Sequence, residues 1–200
     1  MFSYEDTLIL FGRSPFINEI ADYIPKLCNK YHTMGCNYFC NSFPQVEYVI
    51  FFDDINPKVN NNHTIITNVL YLRRKNANCR NLLESHEKKE LYVLHKNKKD
   101  FASDINSLNF CIHTPSIAFD WANKKGFKNV VIAGIDLTLV NQHFDYKTTP
   151  DGDGHTFQDK SLLMAREHLY NVAAKKLNIF QLNPKSDLKI PKISIEILLA

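Results

Sequence analysis

The chain has 200 residues, of which 44% are hydrophobic and 22% charged, and 24 basic against 21 acidic residues give a net charge of +3. This composition is typical of a globular protein and excludes a mostly disordered chain, a collagen and a coiled coil. The balanced charge gives no argument for a nucleic-acid partner, and no stretch reaches the roughly 18 apolar residues of a membrane span. The N-terminal segment is acidic, and no secretory signal is visible in it. Five scattered cysteines without zinc-site spacing indicate reduced thiols, so we expect a cytoplasmic protein.

The first predicted elements are a strand, a tight turn and a helix. The apolar run 7–11 is rich in strand formers and ends at Gly12-Arg-Ser-Pro15, after which apolar residues recur at helical spacing over 16–24. Ser14 is a candidate N-cap and Pro15 suits the first helical position. This order of elements predicts the opening of a parallel α/β unit.

The middle of the chain contains shorter predicted strands. They cover 31–36, 47–52, 64–67 together with 69–72, and 91–94. The first two end at Asn37 and at Asp53-Asp54, and the basic residues within 73–99 are interpreted as a solvated face.

The last part of the chain predicts a helix over 116–125, which Gly126 ends, and a buried strand over 129–133. A polar, glycine-containing loop over 141–158 follows, then a helix over 159–176 and a strand over 179–182. The tail 193–199 is either an edge strand or a docking segment. Together these elements predict one domain over 1–200: an α/β, Rossmann-like parallel sheet flanked by helices, with the loop 141–158 as a lid.

Ligand sites of open parallel sheets lie at the carboxyl ends of the strands. The residues at these ends, and in the turn before the helix over 116–125, are therefore candidate ligand contacts: Gly12, Arg13, Ser14, Asn37, Asp53, Thr114, Pro115, Ser116, Gly134, Ile135 and Asp136. No dinucleotide fingerprint or P-loop is present, but two helix N-termini at one edge suit a phosphate. Turn formation and capping are the alternative interpretation of Gly12, Asn37 and Asp136.

Four blocks together resemble the bacterial family 42 sialyltransferases. They are Gly12-Arg-Ser-Pro15, Gly35-Cys-Asn-Tyr-Phe39, Gly126-Phe-Lys-Asn-Val-Val-Ile-Ala-Gly-Ile-Asp136 and Leu177-Asn-Ile-Phe-Gln-Leu-Asn-Pro-Lys-Ser186. A related group, the domain shared by motility-associated nonulosonic-acid transferases and archaeal pterin diphosphokinases, has the same core. The Gly-Ile-Asp block with its strand is the most specific of the four.

The resemblance implies a transferase that moves sialic acid or a related sugar from a CMP-sugar donor to a hydroxyl of a glycan or glycolipid acceptor. It implies no metal and no other cofactor. Asn37, the turn at Thr114 and the block Gly134–Asp136 would contact the nucleotide, and His155 would be the general base, with His143 in reserve. Tyr146 matches one of two phosphate-binding tyrosines on the family's lid, and Arg13 or Lys147 would supply the missing interaction.

Two other functions stay open from the sequence. Pyrophosphate transfer to a pterin alcohol, as in the related group, would use Mg²⁺ with Asp53 and Asp54 as candidate ligands. A shortened relative without catalysis would act as a binding module. Peripheral contact with the inner membrane and a homo-oligomer are also compatible with the sequence, and a solvent-exposed loop histidine is the alternative interpretation of His155.

Overall fold

The computed structural model describes residues 2–95, 100–109, 111, 113–137, 140–141, 155–156 and 159–200, with backbone only at 140–141, 155–156 and 159. Within this part, ten strands are present: β1 (Thr7–Phe11), β2 (His32–Cys36), β3 (Tyr48–Ile50), β4 (Thr64–Asn68), β5 (Lys89–His95), β6 (Ser107–Asn109), β7 (Asn129–Ala133), β8 (Val140–Asn141), β9 (His155–Thr156) and β10 (Asn178–Gln181).

Eight of these strands form one parallel sheet in the order β10-β7-β1-β2-β3-β4-β5-β6. In its centre, Leu10 of β1 is in register with Met34 of β2 and with Ile132 of β7. The short strands β8 and β9 form a separate antiparallel pair. The predicted α/β, Rossmann-like parallel sheet flanked by helices is therefore confirmed.

The helices of the described residues connect these strands. They are α1 (Phe16–Ile20), α2 (Ile24–Lys30), α3 (Phe39–Ser42), α4 (Leu70–Arg73), α5 (Arg80–Ser85), α6 (Thr114–Lys124), α7 (Asp159–His168), α8 (Ala174–Lys176) and α9 (Ile195–Leu199). A 3₁₀ turn over Ala21–Tyr23 joins α1 to α2, and a π-helix over Leu169–Ala173 joins α7 to α8.

Two predictions of secondary structure differ from what is observed, and one alternative that the sequence left open is decided. The interpretation of 69–72 as strand was wrong, because Leu70 begins a short helix and only Tyr71 of that helix is buried. The helix predicted over 159–176 is interrupted by the π-helix. The tail 193–199 is not an edge strand but a docking segment, since Leu198 is buried in α9 and its carbonyl accepts a hydrogen bond from the Tyr31 hydroxyl, 2.8 Å away.

The core has two halves, one on each face of the sheet. Alternate residues of a strand point to opposite faces, so Leu8 and Leu10 of β1 pack towards α6 and α7. Ile9 and Phe11 pack on the other face, towards α1. Burial of both faces accounts for the nearly continuous apolar sequence of β1 and β7.

Helix α6 is fixed in place by buried polar contacts with its neighbours. The carboxylate of Asp120, which is fully buried, accepts hydrogen bonds from the backbone N–H groups of Asn109 (2.6 Å) and Ala102 (3.0 Å). The next residue of the helix, Trp121, donates a hydrogen bond from its indole Nε1 to the carboxylate of Glu90 at 2.8 Å. These contacts lie in the C-terminal half of α6 and hold the helix against β5 and against the end of β6.

Candidate functional site

The order in which the chain adds strands to the sheet reverses between the neighbouring strands β1 and β7. From β1 the chain adds strands on one side, β2 to β6, and then returns to place β7 and β10 on the other side. A crevice at the carboxyl ends of the strands on either side of such a switch is the usual ligand site of an open α/β sheet. The loops that follow β1 and β7 are therefore the natural place to look for a site.

These two loops are in direct backbone contact. The N–H of Gly12 donates to the carbonyl of Ala133 at 2.8 Å, and the N–H of Ser14 donates to the carbonyl of Gly134 at 3.0 Å. A Cβ atom on Gly12 would lie 2.2 Å from the carbonyl oxygen of Gly134, and one on Gly134 would lie 2.7 Å from the side chain of Ile17. Gly134 also has a φ of +70°, so both positions require glycine.

Asp136 joins the ends of three strands. Its Oδ2 accepts a hydrogen bond from the Ser14 hydroxyl at 2.5 Å, and its Oδ1 accepts one from the Asn183 amide at 2.9 Å. The Gln181 amide, at the end of β10, donates to the carbonyl of Ile135 at 3.2 Å. The carboxylate of Asp136 thus fixes the loops after β1, β7 and β10 relative to one another.

The prediction of Ser14 as the N-cap of the first helix is wrong. Pro15 occupies the capping position of α1 and makes no side-chain capping bond. The Ser14 hydroxyl donates a hydrogen bond to the Asp136 carboxylate at 2.5 Å, so its side chain joins the loop after β1 to the loop after β7.

Asn37 and Thr114 form a second polar pair, at the end of β2. Asn37 has a left-handed backbone with φ of 54°, a conformation that asparagine tolerates better than most residues. The hydroxyl of Thr114, the first residue of α6, donates to the Asn37 side-chain oxygen at 3.3 Å. The structure therefore brings together two residues that are 77 positions apart in the sequence.

The rest of the turn before α6 serves the helix itself. The Nδ1 atom of His113, the N-cap, accepts from the Ser116 N–H at 3.1 Å, and the Ser116 hydroxyl donates to the His113 carbonyl at 2.7 Å. Pro115 lies in the first turn of the helix and is half-buried. Ser116, fully buried, is thus occupied by structural hydrogen bonds rather than open to a ligand.

Arg13, in the loop after β1, places a positive charge beside the end of β2. It is 5% exposed, and its guanidinium carbon lies 5.4 Å from the centre of the Tyr38 ring, a cation–π contact. Burial raises the pKa of the nearby Cys36 thiol to about 12, and the charge of Arg13 opposes this rise. The loop after β1 is in this way linked to the loop after β2.

The remaining sequence candidates lie further away or outside the described residues. Asp53 follows β3 and is exposed, while the carboxylate of Asp54 accepts from the Cys79 N–H at 3.3 Å, next to the start of α5. His155 lies in β9, paired with Asn141 of β8, but its side chain is outside the described part. His143, Tyr146 and Lys147 also lie outside it, as does most of the predicted lid.

Sequence reasoning did not assign a role to two residues of the site. Asn183 directly follows the predicted strand over 179–182, and that position is itself a signal for a ligand contact. Tyr38 follows Asn37 directly, and nothing in the sequence indicates that its ring meets Arg13.

In the described ranges, no group of three or more His, Cys, Asp or Glu side chains is arranged to hold a metal ion. No helix in this part of the chain combines the length and apolar character of a membrane span.

The chain matches no protein-family model and no curated protein sequence. Among solved structures it is similar to that of the MAf glycosyltransferase from Magnetospirillum magneticum AMB-1, with a TM-score of 0.59 and 12% sequence identity. The match covers 96% of this chain and 33% of that chain, so the chain spans about a third of that enzyme's length. At this identity the likeness shows the α/β fold alone.

Proposed function

We propose that this chain is a glycosyltransferase domain that binds a CMP-sugar at the carboxyl ends of β1, β2 and β7 and transfers the sugar to an acceptor hydroxyl. One observation carries the proposal: polar residues far apart in sequence meet at the switch in strand order, where Asp136 joins three strand ends. The fold likeness to a glycosyltransferase supports the reaction class.

The roles proposed for the residues follow from their contacts. The Asn37 and Thr114 side chains share only a long hydrogen bond of 3.3 Å, so a nucleotide hydroxyl or base can replace it at little cost. Asp136 already accepts from the side chains of Ser14, Asn183 and, at 3.5 Å, Gln181, and it acts by holding the loops in place. The charge of Arg13 and the N-terminus of α6 attract the phosphate.

The proposed chemistry needs a base more than an acid, because CMP leaves readily as a phosphate monoester. The acceptor oxygen forms the new glycosidic bond while the bond between the sugar and the phosphate breaks, and CMP leaves with the electron pair. His155 takes the acceptor's proton, a role suited to a side chain whose free pKa is near neutrality. No metal ion is needed in this scheme.

The test is calorimetry with CMP on the whole chain. We expect saturable binding, which Asn37→Gly and Thr114→Val each weaken about tenfold, the value of one polar contact of roughly 1.4 kcal/mol. Glycine retains the left-handed backbone of Asn37, and valine retains the shape of Thr114, so each variant removes only the polar group. Thr64→Val, at the start of β4, is the matched control and leaves the affinity unchanged.

In the same series, His155→Ala separates binding from catalysis. This variant retains the CMP affinity but slows release of CMP from CMP-sialic acid at least about a hundredfold. The absence of binding up to millimolar CMP, or an Asn37→Gly variant that binds as well as the unaltered chain, contradicts the proposal. Binding of ATP with Mg²⁺ in place of CMP favours the pyrophosphate-transfer alternative.

A further inference from the structure

A groove runs along one face of α7 and the π-helix, opposite the segment that leads from β6 to α6. Its volume is about 270 Å³, close to the lower end of the range for ligand pockets, roughly 300 Å³ upward. We call it the α7 groove and define it by the described residues that line it: Cys111, Met164, Glu167, His168, Asn171, Val172 and Lys175. A space of this size accommodates one small molecule, about the size of a monosaccharide.

The groove contains a buried histidine whose hydrogen-bonding groups have no partner among the described residues. His168 is 1% exposed, and neither of its ring nitrogens makes a hydrogen bond to a described residue. Burial lowers the pKa of His168 to about 4, so the ring is neutral near pH 7 and offers one N–H donor and one acceptor. Leaving such groups unpaired costs roughly 1–3 kcal/mol each.

A second imidazole lies beside the first. The Nε2 atom of His113 is also buried and has no hydrogen-bond partner in the described part of the chain, and His168 is close enough to lower the pKa of His113 further. Because Nδ1 of His113 accepts from the Ser116 N–H, its Nε2 carries the proton and is a donor. His113 directly precedes Thr114, so the two histidines lie next to the proposed nucleotide site.

The helix that forms the groove changes from α-helix to π-helix next to the polar side chains His168 and Asn171. The π-helix begins at Leu169, immediately after His168, and includes Asn171 and Val172. Single π-turns within α-helices are rare and are frequently found at functional sites. The irregularity thus coincides with the unpaired histidine.

We infer that the α7 groove binds the carbohydrate ring of the acceptor, an inference that rests on the proposed glycosyltransfer. The groove has one cation, Lys175, and one anion, Glu167, so its lining does not favour an ionic ligand. Neutral imidazole and the amide of Asn171 both donate and accept, which matches hydroxyl groups. The apolar side chains of Met164 and Val172 match the C–H face of a sugar ring.

The test uses the ¹³C-methyl signals of the methionines in the intact chain. Glucose, galactose and N-acetylglucosamine are titrated separately to roughly tens of millimolar, where a binding free energy near −4 kcal/mol is detected. At least one sugar shifts the Met164 methyl saturably, while the methyl of Met34, which is fully buried in the sheet, does not move. If none of the sugars shifts Met164, or inorganic phosphate alone does, the inference is wrong.

Two variants test whether the shift of the Met164 methyl signal reports sugar binding in the α7 groove. Asn171→Ala and Lys175→Ala alter exposed side chains of the rim and keep the fold, and together they weaken sugar binding about tenfold or more. Leu163→Ala, an exposed residue of the same helix outside the groove, leaves it unchanged. An unaltered affinity in the rim variants refutes the groove as the site.

The outcome is independent of the nucleotide experiment. A chain that binds CMP but shows no sugar shift refutes the acceptor groove alone. A chain that shows the sugar shift but binds no CMP refutes glycosyltransfer, and with it the role of the groove as an acceptor site.

Discussion

At the residue scale, the contact between Gly12 and Gly134 determines how closely β1 and β7 approach at the candidate site. Added side-chain atoms at either position would collide with the neighbouring loop, and Gly134 also has a left-handed backbone. Gly126 provides a comparison, because its φ is +86° but nothing lies within 4 Å of the Cβ position. Substituting these three glycines therefore distinguishes the cost of a left-handed backbone from the cost of a steric clash.

We predict a graded loss of stability when each glycine is replaced by alanine. Gly126→Ala costs about 1 kcal/mol, the price of a left-handed backbone for alanine. Gly134→Ala costs about 1–3 kcal/mol more than this, because the added methyl group also overpacks against Ile17. Gly12→Ala lacks the φ strain but costs about 2 kcal/mol or more through its clash with the Gly134 carbonyl.

Urea unfolding of the three variants measures these differences. Equal losses for Gly126→Ala and Gly134→Ala would mean that the space around Gly134 yields to a methyl group, and that the two loops are less tightly joined than described.

Several residues of the site were predictable individually, but their partners were not. Gly134 and Asp136 stand out because they follow a continuous apolar strand. That Asp136 accepts from Ser14, 122 positions away, and from Asn183 depends on the order of strands in the sheet. Sequence spacing carries no information on that order, so the capping role given to Ser14 was the reasonable local interpretation.

At the element scale, the interface between the N-terminus of α6 and the end of α7 contains the two neutral histidines. Burial lowers the pKa of His113 to about 3 and that of His168 to about 4, against about 6.5 in an unfolded chain. Below pH 6.5 the unfolded state therefore binds more protons than the folded state, and stability falls as the pH falls.

We predict that the contribution of these two groups to the free energy of unfolding is nearly constant above about pH 7 and decreases as the pH falls below 6.5, down to about pH 4 for His168 and about pH 3 for His113. Each histidine contributes a slope of up to about 1.4 kcal/mol per pH unit. In His168→Leu one of the two histidines is missing. The slope of the unfolding free energy against pH, measured between pH 5 and 6.5, therefore loses about half of the part that the two histidines contribute.

Urea titrations at several pH values provide the slopes. Leu163→Gln, an exposed change on the same helix, is the control and shifts the whole curve without altering its slope. An unchanged slope in His168→Leu would show that His168 is charged in the folded state.

The long elements were predictable because their patterns are strong, and the short ones were not. β1, β7 and α6 have continuous apolar or helical patterns and lie within two residues of their predicted positions. Helices of four residues such as α3 and α4, and the three-residue strand β6, have too few residues to show a period. The π-helix leaves the apolar spacing of its neighbours almost unchanged, so it could not be predicted from the pattern of apolar residues.

At the scale of the whole molecule, function is proposed to follow from the order of the strands. The class of the fold was predictable from alternating strand and helix patterns, and the sheet confirms it. The place where the order reverses, between β1 and β7, is a property of the assembled sheet. It brings turn residues together at the proposed crevice: the buried cation of Arg13, the hydrogen-bonded carboxylate of Asp136 and the N-terminus of α6.

The central claim is that this crevice binds a nucleotide, and a crystal structure of the chain grown with CMP tests it most directly. The account predicts CMP at the carboxyl ends of β1, β2 and β7, with its phosphate near Arg13 and the N-terminus of α6 and a polar contact to Asn37. A structure in which saturating CMP lies elsewhere, or in which the crevice stays without it, would contradict the account.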